Sequence, residues 1–326
     1  MEPSRPGPAH GCRVVLDDPT RQSTRRPFAA ERLLPGPEGS RYSSGEPHGP
    51  EPRRPRGAPP TVSTPADGWT TETIPIAGLA TPVARAGQGP PLLILHHDIG
   101  SLRPLPFYDA LARRFTVLVP SHPGYDGAER GDWIRNVRDV AAIYQWMLGE
   151  LAATRAVGPI SVVGLGFGGW IAAEMAALAP RTFHRLVLVG AMGLKPERGE
   201  IADQALVSYI DYVRLGFADQ RTFDRVFGAE PPTRLLEQWD LNREMSFRIA
   251  WKPYMYNPTL PHLLGGVAAP SLVVWGRDDR IVPLECGERF AKILPRARLE
   301  IVEGAGHFVE MEKPDELARL VADFAS

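Results

Sequence analysis

Apolar and polar positions change rhythm several times along this chain, and the changes outline its elements. The run Leu92-Leu93-Ile94-Leu95 is apolar throughout, the pattern of a strand buried on both faces. Runs over 115–119, 159–163, 186–190, 271–275 and 299–302 read as further strands. Two earlier segments, 70–76 and 79–86, read as strands flanking a short turn at Ala77-Gly78. Helical patterns fall between them, over 106–114, 136–151, 170–177 and 314–324. Strands alternating with helices predict the α/β class: a mostly parallel central sheet with helices on both faces.

One stretch breaks the alternation. Residues 195–267 show helical patterns over 205–215, 222–227 and 235–250 and no strand, followed by the aromatic run Trp251-Lys252-Pro253-Tyr254-Met255-Tyr256. An all-helical insertion after a central strand sits over the carboxyl ends of the strands, where such sheets bind ligands. It reads as a cap or lid between two core segments, 67–194 and 268–326. Trp251, Tyr254 and Tyr256 are then candidates for the pocket wall or for the packing of the cap itself. Residues 1–66 differ again. They hold 14 of the chain's 34 prolines and almost no aromatic residues, too little apolar surface to offset the entropy of ordering. They read as a disordered extension, either a tail or dispensable. Asp17, Asp18 and Glu31 argue against a transit peptide.

Composition narrows the classes of partner. With 326 residues, 43% of them hydrophobic, the chain supports a large core. A formal net charge of -1 supplies no field for nucleic acid or anionic membrane, so neither is expected as a partner. No apolar stretch approaches the ~20 residues of a membrane span, and the N-terminus lacks the apolar core of a secretory signal. Cys12 and Cys286 fit no metal or redox spacing. A soluble, cytoplasmic protein is expected, with its oligomeric state open. The eight histidines show no HxxxH or HExxH spacing, and no phosphate-binding loop or dinucleotide fingerprint is present. No metal and no cofactor is therefore expected. The expected partner is a small-molecule substrate or ligand.

The most informative stretch is Val163-Gly164-Leu165-Gly166-Phe167-Gly168-Gly169. It lies between a strand pattern and a helical one, the context that a G-x-S-x-G nucleophile turn needs. The serine position is Gly166. Three further segments follow the same plan in order: Leu95-His96 at the end of a buried strand, Trp275-Gly276-Arg277-Asp278-Asp279-Arg280-Ile281-Val282-Pro283, and Glu303-Gly304-Ala305-Gly306-His307-Phe308. From about residue 68 onward the chain resembles the α/β-hydrolase fold superfamily. The resemblance implies that Asp279 is the acid, with Asp278 as the neighbouring alternative, and that His307 is the base oriented by it.

Two departures from that pattern change the expected chemistry. Gly166 retains the strained turn, which glycine tolerates best, and deletes the attacking oxygen. The space left beside it is expected to admit water or part of a ligand. His97 stands where relatives commonly have glycine, and Asp98 falls near the residue whose backbone N–H would complete an oxyanion hole with that of Phe167. An ionised carboxylate there opposes the charge stabilisation that acyl transfer requires. Neither Ser161, within the strand, nor Ser101, past the loop, stands at the tip to replace the missing nucleophile. What remains is a His307–Asp279 pair, with Asp98 a candidate second proton carrier and His97 in a supporting role. His96 is expected to brace the loop. The sequence thus predicts an atypical enzyme acting on a small apolar organic molecule by His–Asp acid–base chemistry without a serine nucleophile. The reaction is water-mediated hydrolysis or a cofactor-free lyase or isomerase step. The alternative is a non-catalytic ligand-binding homologue.

Overall fold

A computed structural model describes residues 68–101, 105–155 and 160–326, with side chains at 154 and 155 excluded. The proposed extension over 1–66, including Cys12, lies outside the described residues. Eight strands form one sheet: β1 (Thr70–Ile76), β2 (Leu79–Ala86), β3 (Pro91–Leu95), β4 (Thr116–Pro120), β5 (Ile160–Leu165), β6 (Phe183–Val189), β7 (Ser271–Gly276) and β8 (Ala297–Val302). Their spatial order is β1-β2-β4-β3-β5-β6-β7-β8. The two amino-terminal pairings are antiparallel and those from β4 through β8 are parallel.

Burial follows position in the sheet. Every residue of β5 and β7 is buried, as is β3 after Pro91, because helices cover both faces. β1 at the edge is largely half-exposed. Its hairpin turns through Ala77 and Gly78, both at positive φ, as a tight two-residue hairpin loop requires. The covering helices are α1 (Pro106–Ala112), α2 (Val137–Arg155), α3 (Phe167–Leu178), α8 (Leu284–Ile293) and α10 (Pro314–Ala325), with a short α9 (Val309–Glu312). Between β6 and β7 lie α4 (Tyr209–Leu215), α5 (Gln220–Phe227), α6 (Thr233–Ala250) and α7 (Leu260–Leu263).

Two helix starts and one whole helix differ from the sequence reading for identifiable reasons. Helix α3 begins at Phe167, not 170, because Gly168 and Gly169 belong to its first turn. Glycine's poor helix propensity made them read as loop. Their purpose is close approach: a Cβ on Gly168 would lie 2.2 Å from the Leu95 carbonyl oxygen. Helix α4 begins at Tyr209, not 205, because the Ser208 hydroxyl accepts from Asp211 N at 3.2 Å and caps it there. Helix α8 had no counterpart in the sequence reading. Its Gly287 lets the helix close on the Trp275 ring, which a Cβ would approach to 2.6 Å.

Helix α3 is buried from Phe167 through Ala176, apolar except for Glu174, which Arg138 pairs at 2.9 Å. It is the element that holds the elbow against the sheet. Gly168→Ala is expected to push α3 away from β3 and destabilise the protein by about 1–3 kcal/mol, read as a lowered urea midpoint with an unchanged m-value.

Candidate active site at the carboxyl edge of the sheet

Each motif from the sequence sits at the carboxyl end of a parallel strand. Gly166 follows β5 and precedes α3 with φ 50° and ψ -108°, a conformation that carries strain for any residue with a side chain. Gly166 N donates to Val189 O at 2.9 Å, and its carbonyl accepts from Met192 N at 3.1 Å. The turn is therefore stitched to the end of β6 as well as to its own helix.

Asp279 follows β7. Its Oδ1 accepts from the backbone N–H groups of Ile281 (2.9 Å) and Val282 (2.8 Å). Its Oδ2 lies 2.8 Å from His307 Nδ1, with both side chains fully buried. Asp278, by contrast, is exposed. His307 follows β8 and is strapped from above, since its N–H donates to Gly216 O at the end of α4 at 2.7 Å. Burial works against the charged imidazolium, but the charge and hydrogen bond of Asp279 outweigh it, with Asp98 and Glu310 adding to them, so the His307 pKa is raised. The hydrogen bond to Asp279 places a proton on Nδ1, so in the neutral ring Nε2 carries the lone pair.

The His96-His97-Asp98 loop after β3 departs most from expectation. His97 and Asp98 are both buried, at 2% and 0% exposure. A Cβ built on Gly166 would lie 2.2 Å from His97 Nδ1 and 2.9 Å from His307 Nε2. The expectation of free space beside Gly166 is thereby corrected: the His97 imidazole takes that space. On its other side His97 Nε2 lies 3.2 Å from a carboxylate oxygen of Glu310, itself 1% exposed, on α9. Asp98 Oδ2 accepts a very short hydrogen bond from Gln204 Nε2. Gln204 lies in the segment leading to α4, and its own N–H donates to Tyr254 Oη at 2.9 Å.

His96 Nδ1 donates to His97 O at 2.7 Å, and Nε2 accepts from His122 N at 2.9 Å. The His96 and His122 rings stack 3.6 Å apart. His122 in turn meets Tyr144 Oη at 2.6 Å and His96 O at 3.0 Å. Burial, followed by the neighbouring His96, holds its pKa well below the usual imidazole range. Two neutral rings thus form a rigid footing under the loop. From α6, Asn242 Nδ2 donates to Ile99 O at 3.1 Å and Asp126 Oδ1 at 3.0 Å, fixing the loop from the helical side.

The aromatic candidates scatter. Trp251 is 50% exposed and packs edge-on against Phe247 and Tyr254. Tyr254 reaches the site only through Gln204. Tyr256 lines a different cleft of about 230 Å³, together with Trp170, Glu174 and Arg138, whose walls include none of Gly166, Asp98 or His307. Phe167 is buried at the head of α3. The sequence reading missed Glu310, Gln204 and Asn242. Glu310 had a usable signal, a lone acid in the apolar run His307-Phe308-Val309-Glu310-Met311. Gln204 and Asn242 had none, being ordinary polar residues of the helical insertion.

Among the described residues, His97 Nδ1, His307 Nε2 and Asp98 Oδ1 are buried polar atoms to which no protein group hydrogen-bonds. The donor atoms offered by these three residues lie within 4.8 Å of one another. A buried polar atom left unpartnered costs about 1–3 kcal/mol. Several gathered in one place mark a site built to meet something other than protein.

The chain belongs to the alpha/beta hydrolase family, which it matches over residues 92–320. It is 30% identical over 184 residues to a 2-hydroxy-6-oxononadienedioate/2-hydroxy-6-oxononatrienedioate hydrolase of Dechloromonas aromatica, covering 51% of this chain and 61% of that one. It thus spans less than two thirds of that relative's length. With a 2-hydroxymuconate semialdehyde hydrolase of a Pseudomonas species it shares 27% over 265 residues, 76% of this chain and 91% of the other. Among solved structures, the 2-hydroxy-6-oxo-6-phenylhexa-2,4-dienoate hydrolase of a Rhodococcus species superposes with a TM-score of 0.63 at 20% identity, over 81% of this chain and 99% of that one. A bacterial membrane phospholipase A gives 0.65 at 22%, over 79% and 86%. In this chain no helix among the described residues is long and apolar enough to cross a membrane.

Two outcomes follow from this geometry. Gly166→Ser drives its Cβ into His97, so it is expected to lower stability by about 1–3 kcal/mol and to give no covalent labelling by a fluorophosphonate. Strong labelling at residue 166 would show that His97 yields easily. The second concerns pH. With its folded pKa raised, His307 contributes stability fully below about 6.5, the unfolded value, and loses it as pH rises through the folded value. Imidazole NMR is expected to show His307 titrating above 6.5 and Asp279→Asn lowering that midpoint.

Proposed function

We propose that this protein hydrolyses small, largely apolar carbonyl compounds, with water rather than a side-chain oxygen as the attacking group. The observation that carries this reading is the convergence of His97 Nδ1 and His307 Nε2 on the Cβ direction of Gly166. The elbow, the acid and the base are assembled in hydrolase order, yet no side-chain oxygen stands at the tip.

In this reading a water sits among His307 Nε2, His97 Nδ1 and Asp98 Oδ1. His307 removes a proton as the water adds to the substrate carbonyl, and Asp279 holds the imidazole in the tautomer that makes Nε2 the acceptor. His97 and Asp98 orient the water. The backbone N–H of Phe167, at the start of α3, is the donor offered to the developing oxyanion. Collapse of the adduct breaks the bond to the leaving fragment, which regains the proton from His307. The helical insertion over 195–267 serves as the lid that keeps bulk water out. The relatives named above, hydrolases of hydroxylated oxo-dienoates, support conjugated ketones of that kind as the substrate class.

The test compares the full chain with His307→Ala on 2-hydroxy-6-oxo-dienoates, β-diketones, lactones and simple esters. His307→Ala is expected to lower kcat/KM by about 10²–10⁴. A single turnover in H₂¹⁸O should place the label in the acid product with no covalent adduct in the intact protein mass. An acyl adduct, or turnover indifferent to His307→Ala, would overturn the reading.

A further inference from the structure

Three of the unpartnered atoms belong to residues that can offer a donor set of a definite kind, two imidazole nitrogens and one carboxylate oxygen. We propose that His97 Nδ1, His307 Nε2 and Asp98 Oδ1 bind one divalent transition-metal ion at the place where other members of the fold would carry their nucleophile. The inference rests on the proposed hydrolysis only for the position of the attacking water, and it changes what activates that water.

Four observations lead to it. First, each candidate ligand has a polar group behind it, hydrogen-bonded to it for His307 and Asp98 and close to it without a hydrogen bond for His97. Asp279 holds His307 through Nδ1 at 2.8 Å, Glu310 faces His97 at Nε2 from 3.2 Å, and Gln204 donates to Asp98 Oδ2. A carboxylate behind a ligating imidazole is the usual way a metal-binding histidine is oriented and made more basic. Here both imidazoles have one.

Second, the residue at 166 is tied to the second imidazole. A Cβ would lie 2.2 Å from His97 Nδ1, so this His97 position and a serine at 166 exclude each other. The glycine makes room for a ligand, beyond deleting an oxygen.

Third, the charge is unbalanced. The side chains of Asp98, Asp279 and Glu310 are all buried around two imidazoles, and among the described residues no Lys or Arg side chain is paired with any of them. Buried carboxylates are ordinarily matched by a cation.

Fourth, the spacing is near that of an ion. Bonds of ~2.1 Å in a tetrahedral arrangement separate ligand atoms by roughly 3.4 Å. The donors of these three residues lie within 4.8 Å of one another, an upper bound not far above that spacing.

Two imidazoles and a carboxylate suit zinc with an open position, or ferrous iron, better than calcium or magnesium, which prefer oxygen. Such an ion lowers the pKa of its bound water toward 7. The hydroxide left when that water gives up a proton would add to the substrate carbonyl, and collapse of the adduct would break the bond between the carbonyl carbon and the leaving fragment, which takes up one proton in return. With Nε2 bound to the ion, His307 acts as ligand and not as base.

The experiment strips the full chain with a chelator and titrates it with Zn²⁺, Mn²⁺ and, without oxygen, Fe²⁺, by calorimetry and thermal shift. One equivalent is expected to bind with a Kd below about 1 μM and to raise the melting temperature. His97→Ala and Asp98→Asn, checked for folding by circular dichroism, should weaken binding at least 100-fold. Glu310→Gln, which leaves all three ligands in place, should weaken it about 10–100-fold. Loss of exposed imidazoles in His184→Ala and His262→Ala should leave the stoichiometry at one. Absence of tight binding by the unmodified chain, or equal binding by His97→Ala and Asp98→Asn, overturns the site. Full turnover by the stripped protein overturns it while leaving water-based hydrolysis standing. One tightly bound equivalent with no turnover on any substrate supports the site and counts against the hydrolase reading.

Discussion

Steric exclusion at residue 166 governs the chemistry open to this protein. The strand–turn–helix from β5 into α3 aims the Cβ direction of that residue at His307, as the fold requires of its nucleophile. A side chain there and the present His97 imidazole cannot coexist, because a Cβ would come within 2.2 Å of Nδ1. The positive φ of the turn favours glycine on its own account. Glycine therefore satisfies the backbone and admits a second imidazole beside the first. Glycine at this turn leaves two imidazole nitrogens facing the position that a side chain would otherwise occupy.

The remainder of the structure holds that pocket rigid. The stacked His96 and His122 rings support the loop from the sheet side. Asn242, Gln204 and the Gly216 carbonyl reach it from the helical insertion. These are polar contacts in a buried setting, where a fully paired group fixes geometry and an unpaired one is costly. His97 Nδ1, His307 Nε2 and Asp98 Oδ1 are among the unpaired atoms, and further ones lie on Glu310, Gln204 and His97 Nε2 behind them. A fold loses stability at such a place, and the extensive apolar core of the sheet and α3 offsets the loss. The same scaffold supports unrelated chemistries when the groups at its strand ends change, and here the change lies in two adjacent loops.

Much of this was legible in the chain itself. Strands β1 and β2 follow from local alternation and turn residues, and β3, β5 and β7 from apolar runs too dense for a half-exposed strand. The acid and base loops stand out because glycine and proline punctuate them at spacings the fold uses. These signals are local: they depend on side-chain periodicity and on backbone conformations that few residues tolerate. The helical insertion was legible as helices, but Gln204 and Asn242 within it were not legible as site residues.

What only the tertiary structure decided is how distant loops meet. His97 and Glu310 are separated by more than two hundred residues, and no periodicity links them. Linear spacing patterns compare residues on one helix or one loop, so they do not register groups that meet from the ends of β3 and β8. The sequence by itself determined the sheet, the elbow and the missing oxygen, because each is written in neighbouring residues. Whether the space beside Gly166 is open or filled was decided by packing, since an imidazole seventy residues away settles there only once parallel strands bring the two turns together.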